Sequence, residues 1–307
     1  MFIKDNLSWI NIDSACDCLE LTRSSYYIWI KTTECRTIKT IAKTKLLGQI
    51  KVEHLKSKGR YGSIKITRIL KKININCTLN GVALLMKRNN IKSVVSKKYK
   101  ATTNSKHNLG IFDNILNRQF IVPHPNYAWV SDITYIHTGE GWLYLATVLD
   151  LYSNMIIGYA MSDRMTKQLV ITALAKALKL RGYPNGVIVH TDRGSQYASH
   201  AYKAVLDKHQ LIGSMIRKGN CWDNAVAENF FGIMKKEYIS QTKFETRNGA
   251  KLGIFDYIEA WYNTQRIHSK LGYLTPAEFD ALYIKMADIE KNIMYKNTKT
   301  EEKAVQL

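Results

Sequence analysis

Along the first third of the chain, apolar positions recur at helical spacing. Cys16, Leu19 and Leu21 mark a short helix, and a polar turn follows at Thr22-Arg-Ser-Ser25. Tyr26, Tyr27 and Trp29 begin a second helix that the Ser24-Ser25 pair is placed to cap. Ile41, Leu46, Leu47, Ile50 and Leu55 predict an amphipathic helix over 41–57, which Gly59-Arg-Tyr-Gly62 breaks. Two more helices are predicted over 63–72 and 79–89. Helix, tight turn and helix with basic residues interleaved is the outline of a helix-turn-helix-like module, an outline that any small helical bundle shares. Lys97 to Lys106 has no periodicity and reads as a basic linker.

Beyond residue 124 the period changes. Strands are predicted over 128–137, 142–151 and 155–161, with a tight turn at Gly139-Glu-Gly141. An Ala- and Leu-rich helix follows over 166–180, then a strand over 186–191, a helix over 199–209, a strand over 211–216 and a helix over 223–239. Three strands in hairpin order followed by helix-strand-helix-strand-helix predict an α/β fold, a mixed five-stranded sheet flanked by helices. The organisation is then a helical basic module over 1–95, a linker over 96–123, a core over 124–285 and a charged tail over 286–307.

Charge sharpens this division. The net charge is +20 over 307 residues, and between Lys31 and Gly110 twenty Lys and Arg stand against only Glu34 and Glu53. The excess of eighteen is therefore concentrated in the amino-terminal third, as a partner rich in phosphates would require. A solvated surface or attraction to anionic lipid is the plainer alternative. Five cysteines without a C-x-x-C pair argue against a disulfide framework or zinc ribbon. With no signal-peptide core and no apolar run of membrane-spanning length, a soluble cytoplasmic, nucleoid-associated protein is expected.

Three acidic residues stand out against this basic background. Asp132 lies within the apolar strand segment Trp129-Val-Ser-Asp-Ile-Thr-Tyr135, where a carboxylate is costly unless paired or coordinating. Asp150 competes for the same role but falls near a strand end. Asp192 closes the strand Val187-Ile-Val-His-Thr-Asp192, and strand carboxyl ends are where ligand sites form in α/β sheets. Glu228 follows with 35 residues between, in the first turns of a helix for which Asp223 is the expected N-cap. Lys235 shares its face about 10 Å along, with Gly232 between. An ordinary solvated Glu/Lys face is the competing reading. Together, three carboxylates suit Mg²⁺, a hard cation held by few carboxylates plus phosphate oxygens. Two such ions about 3.5–4 Å apart can stabilise the attacking and leaving oxygens of an in-line displacement.

These segments, with Trp222-Asp-Asn-Ala-Val-Ala-Glu-Asn-Phe-Phe-Gly232 and Tyr262-Asn-Thr-Gln-Arg-Ile-His268, resemble the DDE transposases with an integrase catalytic core. They are most similar to the second-reading-frame product of bacterial two-frame insertion sequences. The resemblance implies a ribonuclease H-like core in which Asp132, Asp192 and Glu228 bind metal and Lys235 contacts DNA near the reacting end. It implies 3′-end cleavage and strand transfer with Mg²⁺, Mn²⁺ serving as substitute. Expected partners are terminal-repeat and target DNA, the first-frame product and further copies of the chain. Candidate DNA contacts besides Lys235 are Arg193, Arg60, Lys65, Arg68, Lys97, Lys98 and Lys100. The chain departs from the family at Leu79–Met86, where extra basic residues are common. It also lacks the two-His, two-Cys zinc module of retroviral integrases, since His54 and Cys77 have no partners at suitable spacing. A DNA-binding regulator that keeps the fold without catalysis is the alternative from another class. A tyrosine recombinase would need a cationic cluster around a nucleophilic Tyr, and no tyrosine is marked that way. Asn263, Arg266 and His268 either line the DNA path or close the domain through hydrogen bonds.

Overall fold

The computed structural model describes residues 11–94, 112–217, 221–286 and 289. It comprises two compact units, Met1–Ser93 and Val94–Leu307. The first contains α1 (Ile12–Cys18), α2 (Arg23–Lys56), α3 (Ser63–Lys72) and α4 (Leu79–Arg88). The two helices expected on either side of residue 35 are one, and α2 runs 34 residues without a break. In the polar stretch between them Thr37, Thr40 and Thr44 each donate their hydroxyl to the carbonyl four residues back, at 3.0, 2.8 and 3.0 Å, so these hydroxyls are satisfied within the helix. Its N-cap is Thr22, whose Oγ1 accepts from the amide of Ser25 at 3.2 Å, rather than the Ser24-Ser25 pair.

Ile50 of α2, Ile66 and Leu70 of α3, and Val82 and Met86 of α4 are buried, and the three helices pack together. At the α2–α3 turn the backbone is left-handed at Lys58 and Gly59. That turn carries Arg60 inward. It retains 6% of its surface, so it is not among the exposed basic groups of this unit. Lys65 lies with its amino group 4.7 Å from the Tyr61 ring centre, and Arg68 is exposed. Lys97, Lys98 and Lys100 lie outside the described residues.

The second unit is built on a sheet ordered β3-β2-β1-β4-β5. The strands are β1 (Ala128–Thr138), β2 (Gly141–Asp150), β3 (Ile156–Ser162), β4 (Ile188–Thr191) and β5 (Ile212–Met215). β1, β2 and β3 form an antiparallel meander, whereas β4 and β5 run parallel to β1. This is the mixed sheet expected of a ribonuclease H-like core. α5 (Lys167–Leu180) and α6 (His200–Lys208) close one core, in which Trp129, Ala146, Val148, Leu174 and Tyr202 are buried. Gly158 permits the close approach of α5 to β3, because a Cβ there would fall 2.3 Å from the Ala173 carbonyl and 2.6 Å from the Ala177 nitrogen.

The opposite face of β1 and β2 presents Val130, Thr134, Ile136, Leu143, Leu145 and Leu149, all buried. α7 (Ala225–Glu237) packs against β1, and α8 (Arg247–Phe255) against β2. The chain continues from α8 into a π-helical turn, Asp256–Tyr262, whose Tyr257, Ile258, Trp261 and Tyr262 are buried. Among the described residues no helix is long and apolar enough to cross a membrane.

Candidate active site

β4 pairs with β1 through four residues, the last pair being Ser131 and Thr191. Asp132 follows on β1 and Asp192 is the first residue past β4, so the parallel register carries the two acids to neighbouring positions. Asp132 Oδ1 accepts from the amide of Ile133 at 2.7 Å, and Asp192 Oδ1 accepts from the amide of Gly194 at 2.9 Å. Both acids are partly buried. Glu228 comes from the first turn of α7 and Lys235 from its last, with open space at Gly232 between them.

Electrostatics ties the four groups together. The Asp132 carboxyl is held well above the ordinary carboxylate range, first by burial and then by the negative charge of Asp192. Glu228 pushes the same way to a smaller extent, while Lys235 opposes it. Burial raises Glu228 and lowers Lys235. The Lys235 amino group stands 5.3 Å from the centre of the Tyr135 ring. Among the described residues, no three His, Cys, Asp or Glu side chains are close enough to share one metal ion. Asp132 and Asp192 are thus the tight pair, with Glu228 felt from farther off.

Asp150 is occupied otherwise. Fully buried, it accepts from the amides of Asn126 and Tyr152, each at 3.0 Å, and pairs with Arg181 at 3.2 Å. Arg181 in turn bridges to Asp280 at 2.6 Å. Asp150 therefore fastens the end of β2 to the helical stretch 276–286.

Around the cluster, several residues fix α7. Asp223 is not an N-cap. It lies in a 3-10 turn, Cys221–Asn224, and α7 begins after Asn224, which makes no side-chain cap. The Asp223 carboxylate is buried and accepts from Arg217 at 2.9 Å, Arg118 at 2.8 Å and Asn114 at 2.8 Å. These donors, Arg217 foremost, hold its pKa far below the usual carboxylate value. His190, two residues before Asp192, is buried and its pKa is lowered by that burial. Its Nε2 lies 3.0 Å from the Asp223 carbonyl and must carry the proton to donate there. Its Nδ1 then accepts from Ser214 Oγ at 2.9 Å, an oxygen that itself accepts from the amides of Ile115 and Leu116.

At the other end of α7, Glu237 is buried and pairs with Arg266 at 2.8 Å. It also accepts from the Tyr257 hydroxyl at 3.1 Å and the Trp261 indole at 3.3 Å. Asn263 bonds both the amide and the carbonyl of Ile156, at 3.0 and 2.9 Å. Asn263 and Arg266 thus close the domain through hydrogen bonds. Arg193 donates its Nε to the Ile216 carbonyl at 2.6 Å. His190 and Glu237 carry no local signal of these roles, since their partners lie 20 or more residues away. Of the donors to Asp223 only Arg217 is near in sequence, Asn114 and Arg118 lying more than 100 residues upstream.

A mixed sheet bearing one acid within its central strand and another just past the end of the parallel neighbour defines the integrase-core class, and the sequence comparisons agree. Residues 122–221 and 228–281 each match an integrase core domain, and residues 42–99 match an HTH-like domain. The chain is 41% identical over 272 residues to an uncharacterized 31 kDa protein of the insertion element IS600 from Shigella sonnei, covering 89% of this chain and 99% of that one. It is 38% identical over 280 residues to the transposase InsF of insertion sequence IS3A from Escherichia coli K12, covering 91% and 97%. The integrase catalytic core domain of HTLV-2, solved in complex with magnesium, is similar at a TM-score of 0.39 and 18% identity, over 51% of this chain and 97% of that one. The chain belongs to the IS3-family transposases.

Proposed function

We propose that the chain cleaves DNA at the 3′ ends of its element and joins each freed 3′-OH to a target phosphodiester, with Asp132, Asp192 and Glu228 holding divalent ions. The observation that carries this reading is the strand register that ends in Asp132 beside Asp192, with Glu228 and Lys235 both sensed by Asp132. Crowded, partly buried carboxylates opposed by one nearby lysine form an all-oxygen donor set, and that chemistry fits Mg²⁺, with Mn²⁺ as substitute. Two such ions, when bound, supply Lewis-acid stabilisation of the attacking and leaving oxygens. Lys235 meets a phosphate beside the carboxylates, at the partly buried end of α7. His190 and Glu237 act one step back, keeping α7 and β4 in place.

The basic helical unit supplies the remaining DNA affinity through exposed groups such as Arg68, recognising the terminal repeats. Further copies of the chain and the first-frame product complete the active assembly, which works in the cytoplasm at the nucleoid. Strand transfer on DNA bearing the flanking element ends tests this. Asp132→Ala, Asp192→Ala and Glu228→Ala should each abolish joined product in Mg²⁺ while gel-shift binding persists. Product surviving Glu228→Ala would remove Glu228 from the triad. Lys235→Ala should weaken strand transfer more than metal binding.

A further inference from the structure

β1 continues through Thr138, although its pairing with β4 stops at Ser131. On this extension Tyr135 and His137 point to the same side as Trp142 of the paired strand, which stands opposite His137. That face of the sheet is otherwise apolar core, yet here it surfaces, and Tyr135 and Trp142 keep 43% and 46% of their area exposed. The Trp142 ring meets Tyr135 edge-on at 5.1 Å and His137 edge-on at 5.2 Å, so the three rings stand as walls of one aromatic patch. Cations flank it at both ends. Lys235 lies against Tyr135, and Arg247 donates its Nε to the Trp142 carbonyl at 3.1 Å.

Exposed aromatics in this number are costly to leave in water and add nothing to the core. Partly exposed rings bordered by cations are what an unpaired nucleobase and its phosphates require. By strand alternation Asp132 faces the other side of β1, and Lys235 links the two, its amino group 5.3 Å from the centre of the Tyr135 ring and its charge favoured by Asp132. We infer that Tyr135, His137 and Trp142 form a stacking platform for an unpaired base of the DNA strand that runs past Asp132, with Lys235 and Arg247 holding its flanking phosphates. The inference rests on the DNA-processing reading above, but it concerns strand binding and not chemistry.

Its test is therefore made without metal. Fluorescence anisotropy on the full chain would compare a short fluorescein-labelled oligothymidylate with a blunt duplex of mixed sequence. Trp142→Ala should weaken oligothymidylate binding roughly ten-fold, leave duplex binding unchanged, and be largely rescued in Trp142→Phe. Equal oligothymidylate affinity in Trp142→Ala and the parent would overturn the platform. So would a parallel fall on both probes, which would mark a change in fold. If strand transfer fails in Mg²⁺ while the ten-fold selective loss is seen, the catalytic reading falls and the platform stands.

Discussion

Asp132 is where the sequence speaks most plainly, because an acid inside an apolar strand demands an explanation. Its raised carboxyl has a stability consequence. The folded state holds the proton more tightly than the unfolded chain, so the contribution is fully present below the ordinary carboxylate pKa. It is lost as pH rises through the raised folded value. Above the ordinary carboxylate pKa the buried acid thus makes the fold less stable. Asp132→Asn should raise the melting temperature by a few degrees in EDTA and flatten the fall in urea midpoint as pH rises above the ordinary carboxylate range. Mg²⁺ should stabilise the parent chain and leave the Asn variant nearly unmoved. A parent melting curve indifferent to millimolar Mg²⁺ would count against the ligand assignment. Asp223 teaches the opposite lesson. It looks like a helix cap in the sequence, but its arginine donors come partly from over 100 residues upstream, where no local pattern reveals them.

At the scale of elements, periodicity located the strands and most helices to within two residues, and α3 at its observed limits. It failed over the exposed middle of α2, where polar residues carry no apolar repeat to mark the helix. Burial of Arg60 was equally hidden, since a basic residue in a turn reads as solvent-facing. α7 is the element on which the proposed site depends, and it is fastened at both ends, by the Asp223 and His190 bonds and by Glu237. Arg266→Met would leave Glu237 buried with its hydroxyl and indole donors but no cation. The expected cost is about 3–5 kcal/mol in urea unfolding. The double variant Glu237→Gln with Arg266→Met should recover part of that loss. If the double change costs as much as the two single changes summed, the pair is not coupled.

For the whole molecule the decisive quantity is the distribution of charge. With the excess of eighteen confined to the amino-terminal third, DNA affinity should fall steeply and log-linearly with salt. Arg68→Ala should weaken binding on any sequence and reduce the magnitude of the slope by about 1. An unchanged slope would place the phosphate contacts elsewhere. The cage around Asp223 bears on how the chain reaches this state. Asn114 and Arg118 meet Asp223 across 109 and 105 residues. During synthesis the two aspartate-bearing strands can pair soon after β4 emerges, whereas Asp223 must close a loop longer than a hundred residues before α7 is anchored. α7 is accordingly seated after the two strands have paired, so that a nascent chain can hold its two aspartates together before Glu228 of the proposed triad joins them.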